Sequence, residues 1–557
     1  MNTLQLVLGL TLSLGVAAAE KKTSDEFDDK RANQNQKGDV IVQFVGSPSQ
    51  ADLNSVGVAK SYHPGINGAV FSLTPVAAKA LANNPRVRYV SPDRTLHADL
   101  EYAQPTVGAD LAYSSGWDGT GVGIAIIDSG VNDHPDFNDR SSCTTSRLVY
   151  KENFVVGENT TADLFGHGSH VAGIVAGVGK CAESNRTRTF RGIAADSNII
   201  SLRVLNAFGA GTDSAVIAAI NRAIVLKSTY NIRVINLSVG RPIKESYTTD
   251  PLCQAVESAW KAGIVVVVSA GNFGRFATTK GYGTITSPAN DPYVITVGAM
   301  NDKKSTTKSD DLLTTYSSKG PSIIDHVVKP DLVAPGNGII SMRAPGTVLD
   351  TLLPGNIINR SYYKNGASGL SQYYFNLSGT SMAAPMGSGA AAAMIGQNSA
   401  LTPNQVKARL MKTATKAFPL YSTITDPVTG ITYQLQYDLF SVGAGYLDVN
   451  AAVNDTHVMS TPSTTPLSPK VKINTTGKVT LDSQSLVWGD TSIWGQSLVW
   501  GNQVLVSGSS LVWGDTLVWG DSTTVGYSLV WGDSLVWGDS LVWGDNVVYA
   551  QYQSGDQ

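Results

Sequence analysis

The chain has 557 residues, too many for one ordinary domain, and an apolar fraction of 42% that supports a full core. A formal net charge of −3 with no basic stripe excludes a nucleic-acid reading on electrostatic grounds. Three cysteines exclude a disulfide-dense scaffold: Cys143 and Cys181 could pair and leave Cys253 free, or all three could be reduced and packed.

Residues 4–19 are apolar and end Val16-Ala17-Ala18-Ala19, followed by Glu20-Lys21-Lys22. This is the pattern of a signal peptide over 1–19, too short for the ~20 apolar residues of a membrane span. It predicts an exported protein, secreted or held at the cell surface. Residues 20–37 are charged and polar and read as a linker. From Gly38 the pattern predicts a small α+β unit. Its strands fall at Asp39–Phe44, Ala69–Leu73 and Arg86–Val90, with helices near 48–56 and over 74–84. Thr74 caps the second helix ahead of Pro75.

From Gly119 the pattern changes again. Gly123–Ile127 is apolar without alternation, as expected of a parallel strand buried on both faces, and ends in Asp128. Open α/β sheets place their sites at such strand ends, although an aspartate there is equally a turn cap. Phe165-Gly166-His167-Gly168-Ser169-His170 then opens a helix of small residues. The pair His167 and His170 lacks a carboxylate or thiolate at a regular spacing, which argues against zinc and leaves His170 structural. Strands at Asn198–Val204, Val234–Gly240, Ile264–Ser269 and Tyr293–Gly298 alternate with helices at Ser214–Lys227 and Leu252–Ala262. This alternation predicts a parallel sheet with helices on both faces. Asn272 follows the strand Ile264–Ser269 and belongs to the same carboxyl edge, or is simply a turn residue.

Gly379-Thr380-Ser381-Met382-Ala383-Ala384-Pro385 precedes an alanine-rich run that reads as a buried helix to about Ile395. Taken alone, Ser381 reads equally as an N-cap and as a nucleophile beside helix-end N–H groups. The stretch 341–377 before it, rich in Tyr, Asn and Gly, reads as a long surface insertion that could reshape a cleft.

Together these pieces resemble the subtilisin-like serine proteases (subtilases), over about Tyr102 to Val453. The chain order Asp128, His167, Ser381 is that family's triad order, unlike those of chymotrypsin-like proteases and α/β-hydrolases. The run Gly443-Ala444-Gly445-Tyr446-Leu447-Asp448 is similar to the family's domain end. Ser169 stands where the family often has threonine, and keeps the hydroxyl. The resemblance implies Ser381 as nucleophile, His167 as base, Asp128 as its orienter, and an oxyanion hole from the Asn272 side chain and the Ser381 N–H. It also implies a substrate wall of Ser238, Val239, Gly240, Ala270 and Gly271, small and uncharged, hence broad specificity. The upstream unit, 20–101 with a core of 38–98, becomes an inhibitory propeptide, removed autocatalytically near His97 to Gln104, and 102–453 the catalytic domain. Protein or peptide substrates and the chain's own propeptide are the expected partners. No cofactor is expected for catalysis. Structural calcium is common in the family, and the loop with Asp133, Asp136 and Asp139 offers oxygen ligands, though not at EF-hand spacing.

After Asn454 the composition becomes Thr-, Ser- and Pro-rich, predicting a linker over 454–484. Ser485-Leu486-Val487-Trp488-Gly489-Asp490 then recurs at Ser510, Ser528, Ser534 and Ser540, with variants at Ser492, Ser497 and Thr516, across 485–545. Similar tails occur on some bacterial subtilisin-like proteases. Period six with a fixed glycine suits a β-rich stack, an irregular tail being the alternative. Its tryptophans suggest contact with a cell surface or polymer. Residues 546–557 form the C-terminal end. Two rival readings remain: a surface-binding protein whose tail is the working part, and a serine esterase, which the Asp-His-Ser order and the pro-segment argue against.

Overall fold

Alternation decides the first unit. In Gly38–Phe44 the side chains of Val40, Val42 and Phe44 turn inward and those between them outward. The computed structural model describes residues 22, 23, 27, 35–92, 101–276, 279–426, 430–456, 467–473, 479–481, 498–500, 504–507, 510–513, 547–550 and 555–556. The expected signal peptide, 1–19, and residues 97–100 of the expected processing region lie outside them. The chain divides into two units, Met1–His97 and Ala98–Gln557.

In the first unit four antiparallel strands stand in the order Ser61–His63, Gly68–Leu73, Gly38–Phe44, Val87–Pro92. The sequence pattern misses Ser61–His63, a three-residue edge strand with every residue exposed and so no apolar period to read. Ser49 and Asp52 close a capping box at the start of helix Gln50–Val56. Thr74 caps Pro75–Ala80 through its hydroxyl, with Pro75 at the first turn, and a 3-10 turn Leu81–Asn83 follows. Phe27, Phe44, Phe71, Ala78, Val87 and Val90 fill the core.

The second unit is built on an eight-stranded sheet. Its order is Leu312–Leu313, Ile295–Asn301, Val265–Ser269, Ile232–Leu237, Gly123–Asp128, Asn198–Arg203, Leu148–Asn153, with Leu332–Pro335 also paired to Ile295–Asn301. Every pairing is parallel except Leu312–Leu313 against Ile295–Asn301. The strand Gly123–Asp128 is buried along its whole length, which is why it lacks alternation. Each Val or Ile so buried contributes about 1.5–3 kcal/mol. Helix His167–Ala176 packs on Thr380–Gln397, and Asp213–Tyr230 on Pro251–Lys261, each pair against the sheet. The strand Leu148–Asn153 escapes the sequence pattern because Lys151, Glu152 and Asn153 end it and only Leu148 is buried.

Two stretches fold differently from the expectation. Within 341–377, Leu370–Leu377 pairs with Ile339–Met342 and with Ile357–Asn359. Tyr363 and Tyr374 are fully buried against Phe190, and the Tyr374 hydroxyl donates to Asp136 at 2.6 Å. This stretch is thus part of the core rather than surface alone. Inside 454–484, Leu467 is buried and Pro469 and Val471 bond to the backbone of Val328 and His326. Ser468 donates to the Asp331 carboxylate, so 467–471 is strapped to the sheet unit. Farther on, Leu498–Trp500, Val504–Ser507 and Ser510–Trp513 form a three-stranded antiparallel sheet, and the later repeats lie outside the described residues.

Candidate active site

Parallel pairing brings three strand ends to one edge. Gly123–Asp128, Ile232–Leu237 and Val265–Ser269 run side by side in the same direction. Their carboxyl ends deliver Asp128, Ser238 and, three residues beyond Ser269, Asn272.

His167 is the first residue of helix His167–Ala176. Its Nδ1 lies 2.8 Å from Asp128 Oδ1, both side chains being fully buried. Paired with a carboxylate at Nδ1, the imidazole presents a lone pair at Nε2. That Nε2 is buried and has no hydrogen-bond partner among the described residues. The next residue must be glycine: a Cβ on Gly168 would stand 2.2 Å from the Gly130 carbonyl oxygen and 3.1 Å from the Asp128 Cβ.

Ser381 is the second residue of helix Thr380–Gln397. Pro385 inside that helix has no N–H to return to the carbonyl of residue 381. The Ser238 hydroxyl donates to that carbonyl at 3.0 Å, and Ser381 Oγ donates to the Ser238 carbonyl at 3.3 Å. The proline thus exchanges a helical bond for a tie to the neighbouring strand end. On the other flank, Asn272 Oδ1 accepts from the Thr380 N–H at 2.9 Å and the Thr380 hydroxyl at 3.0 Å. This fixes the amide so that Nδ2, buried and without a partner among the described residues, is a spare donor beside the helix start. Ala270 and Gly271 are buried on the same loop, and the Gly271 N–H donates to the Thr380 hydroxyl.

Residues 119–445 match the model of the subtilase family, and residues 15–99 that of the peptidase inhibitor I9. The chain belongs to the subtilase family. This subtilase is 32% identical over 411 residues to the serine protease AprX of Bacillus subtilis (strain 168), across 70% of this chain and 85% of that one. It is 31% identical over 358 residues to subtilisin E of the same strain, across 63% of this chain and 76% of that one. To the alkaline serine exoprotease A of Vibrio alginolyticus it is 28% identical over 410 residues, across 71% of this chain and 62% of that one. The subtilase is a serine endopeptidase with an inhibitor-type propeptide unit.

Sequence reasoning passed over two parts of the subtilase site. Asp163 is buried, and its oxygens accept from Ser129 Oγ at 2.8 Å, the Gly166 N–H at 2.6 Å, and the Ser169 N–H and hydroxyl at 2.9 and 2.8 Å. It therefore clamps the loop after Asp128 to the turn before His167, and explains the hydroxyl at Ser169. Burial pushes its carboxyl upward against those bonds. The second omission is the short strand Ala210–Thr212; only the glycines at 209 and 211, just past a strand end, signal it.

His170 sits apart from this chemistry. Its Nε2 lies 3.1 Å from the Ile339 carbonyl and 3.0 Å from that of Phe375, and burial pushes its pKa down to about 3. The calcium expectation for the 133–139 loop does not fit the residues present. The Asp136 oxygens accept from the Ala182 N–H and Tyr374 hydroxyl, and those of Asp139 from Ser141, Ser142 and Thr145. Asp133 pairs with Lys151 at 2.8 Å. Donors already face these carboxylates where a cation would need bare lone pairs. Among the described residues no group of three or more His, Cys, Asp or Glu is placed to hold a metal.

Cys143 and Cys181 form a disulfide, and Cys253 is free and buried. No helix among the described residues is long and apolar enough to cross a membrane.

Proposed function

We propose that the chain is an exported zymogen whose endopeptidase chemistry runs on Asp128, His167 and Ser381. The observation that carries this reading is the 2.8 Å Asp128–His167 bond that leaves a bare, buried Nε2. Ser381 Oγ attacks the peptide carbonyl while its proton passes to His167 Nε2. Asp128 holds the imidazole and stabilises its cation. The oxyanion is received by Asn272 Nδ2 and by the Ser381 N–H, which belongs to a first helical turn whose N–H groups point outward. The imidazolium then protonates the leaving amine, and water repeats the sequence on the acyl-enzyme.

Ser238, Val239, Gly240, Ala270 and Gly271 line the substrate side. With no acidic residue in either run to meet a basic side chain, the reading is broad specificity. The 15–99 match supports a propeptide removed by the enzyme itself. The disulfide supports an oxidising, extracellular destination. Expressed without other proteases, Ser381→Ala should remain at precursor mass, take up no fluorophosphonate probe and leave casein uncut. A variant of mature mass would overturn self-processing, and one that still hydrolyses casein would overturn the assignment of Ser381.

A further inference from the structure

Beside the nucleophile a short sheet of three antiparallel strands stands in the order Val239–Gly240, Val547–Ala550, Ala210–Thr212. The outer two belong to loops at the carboxyl edge of the main sheet. The middle strand comes from some three hundred residues downstream. Its register pairs Val239 with Ala550 and Gly240 with Tyr549 on one side. On the other it pairs Thr212 with Val547, Gly211 with Val548 and Ala210 with Tyr549. The residue preceding Val239 is Ser238, whose carbonyl receives the Ser381 hydroxyl. An extended peptide thus fills the slot next to the nucleophile, held on both edges by backbone.

A second contact lies on the other flank. The Asp556 side chain is fully buried and pairs with Arg275 at 2.9 Å, while the Thr315 N–H and hydroxyl donate to it at 2.7 and 2.6 Å. Its own N–H donates to Asn337 Oδ1 at 2.7 Å and its carbonyl accepts from Asn337 Nδ2 at 2.8 Å. Gly555 lies so close that a Cβ there would stand 2.4 Å from Ser378 Oγ, three residues before Ser381. Arg275 is three residues past Asn272. The strand is therefore tied to the Ser238 side of the site and the aspartate to the Asn272 and Ser378 side.

We propose that the strand Val547–Ala550, latched by Gly555 and Asp556, is an occupant of the peptide-binding slot supplied by the chain itself, which competes with substrate after the propeptide has gone. Strand addition between two open edges satisfies backbone groups whatever the side chains, so the same slot accepts extended peptides in general. Tethering gives the segment a high local concentration, so modest intrinsic affinity suffices. Asp556 is the latch that sets register and lifetime.

This inference rests on the endopeptidase reading, and one assay separates them. Three matured preparations are compared on a fluorogenic peptide: the natural chain, Asp556→Ala, and a chain ending at Asn546. Arg275 retains Asp426 at 3.6 Å, so the point variant does not strand a lone guanidinium. A slot self-occupied nine-tenths of the time raises KM about tenfold. The expected result is therefore a KM lowered several-fold in both variants at unchanged kcat, and competitive inhibition of the shortened chain by a peptide of sequence 546–557. Equal KM values with active enzyme in all three would overturn the latch, including the case in which maturation sheds the segment. No hydrolysis by any of them would overturn the protease reading, and this one with it.

Discussion

Ser381 owes its position to two neighbouring residues, Pro385 and Ser238. Pro385 removes a helical N–H and Ser238 supplies a hydroxyl to the carbonyl so released, tying Ser381 to the strand end. Asn272 is fixed through its oxygen and so offers its nitrogen. Asn272→Ala should lower kcat by about 10²–10³ with little change in KM, the range measured when one side-chain oxyanion donor is removed from subtilisin. Steady-state kinetics on a peptide ester would check it; a fall in kcat under about tenfold would remove Asn272 from the oxyanion role. Asp128, His167, Asn272 and Ser381 stand out as candidates in the sequence, because each sits at a strand end or helix start marked by glycine or an apolar run; their roles are the proposal made above. Asp163 is not legible. A buried aspartate that collects loop N–H groups looks in sequence like any turn aspartate.

Among elements, those with a full apolar period or a cap are readable from sequence, and those whose pairing is supplied by neighbours are not. Asp213–Tyr230 starts on a Thr212 cap and Pro251–Lys261 on Asp250 followed by proline, so both helices declare themselves. The strand Leu312–Leu313 spans two residues and carries no period at all, and Val239–Gly240, expected as the end of one strand Val234–Gly240, is a separate two-residue strand beyond Leu237. The Cys143–Cys181 bond closes a loop of sequence separation 38 that contains the Asp163–His167 turn, which chain entropy values at about 4 kcal/mol. Replacing both cysteines by serine should lower the denaturant midpoint of the mature enzyme, and reductant should do the same to the natural chain but not to the variant. Equal midpoints for the two proteins would show that the bond contributes no net stability.

For the whole molecule, burial of histidine contributes to the loss of stability in acid. His170 is pushed down to about 3, chiefly by burial and then by the nearby His167, and burial lowers His134 as well. An imidazole lowered from its ordinary 6.5 leaves the unfolded chain binding the extra proton between those values. Its stabilising contribution is complete above about pH 6.5 and is lost as pH falls toward about 3. Asp302 and Asp311, raised to about 6 and 7 by burial, act in the opposite sense. The His170 contribution must therefore be read as a difference: His170→Gln, which keeps an N–H donor, should show a shallower loss of thermal midpoint between about pH 6.5 and 4 than the natural chain. Parallel curves would exclude titration of His170 as a cause.

At this scale the division of labour is physical. Local sequence determined the two-unit order, the parallel sheet and the family, and marked the candidate reacting side chains, because periodicity, caps and glycine punctuation are short-range and survive without partners. Only the tertiary structure decided which loops Asp163 joins, that the 341–377 stretch and residues 467–471 belong to the sheet unit, and that the 133–139 carboxylates are already committed to donors. It also decided where residues 547–550 and 555–556 lie. A four-residue strand gains its hydrogen bonds entirely from edges some three hundred residues away, and a buried aspartate gains its worth from an arginine it cannot find until the sheet has formed. No pattern along the chain records a pairing of that kind.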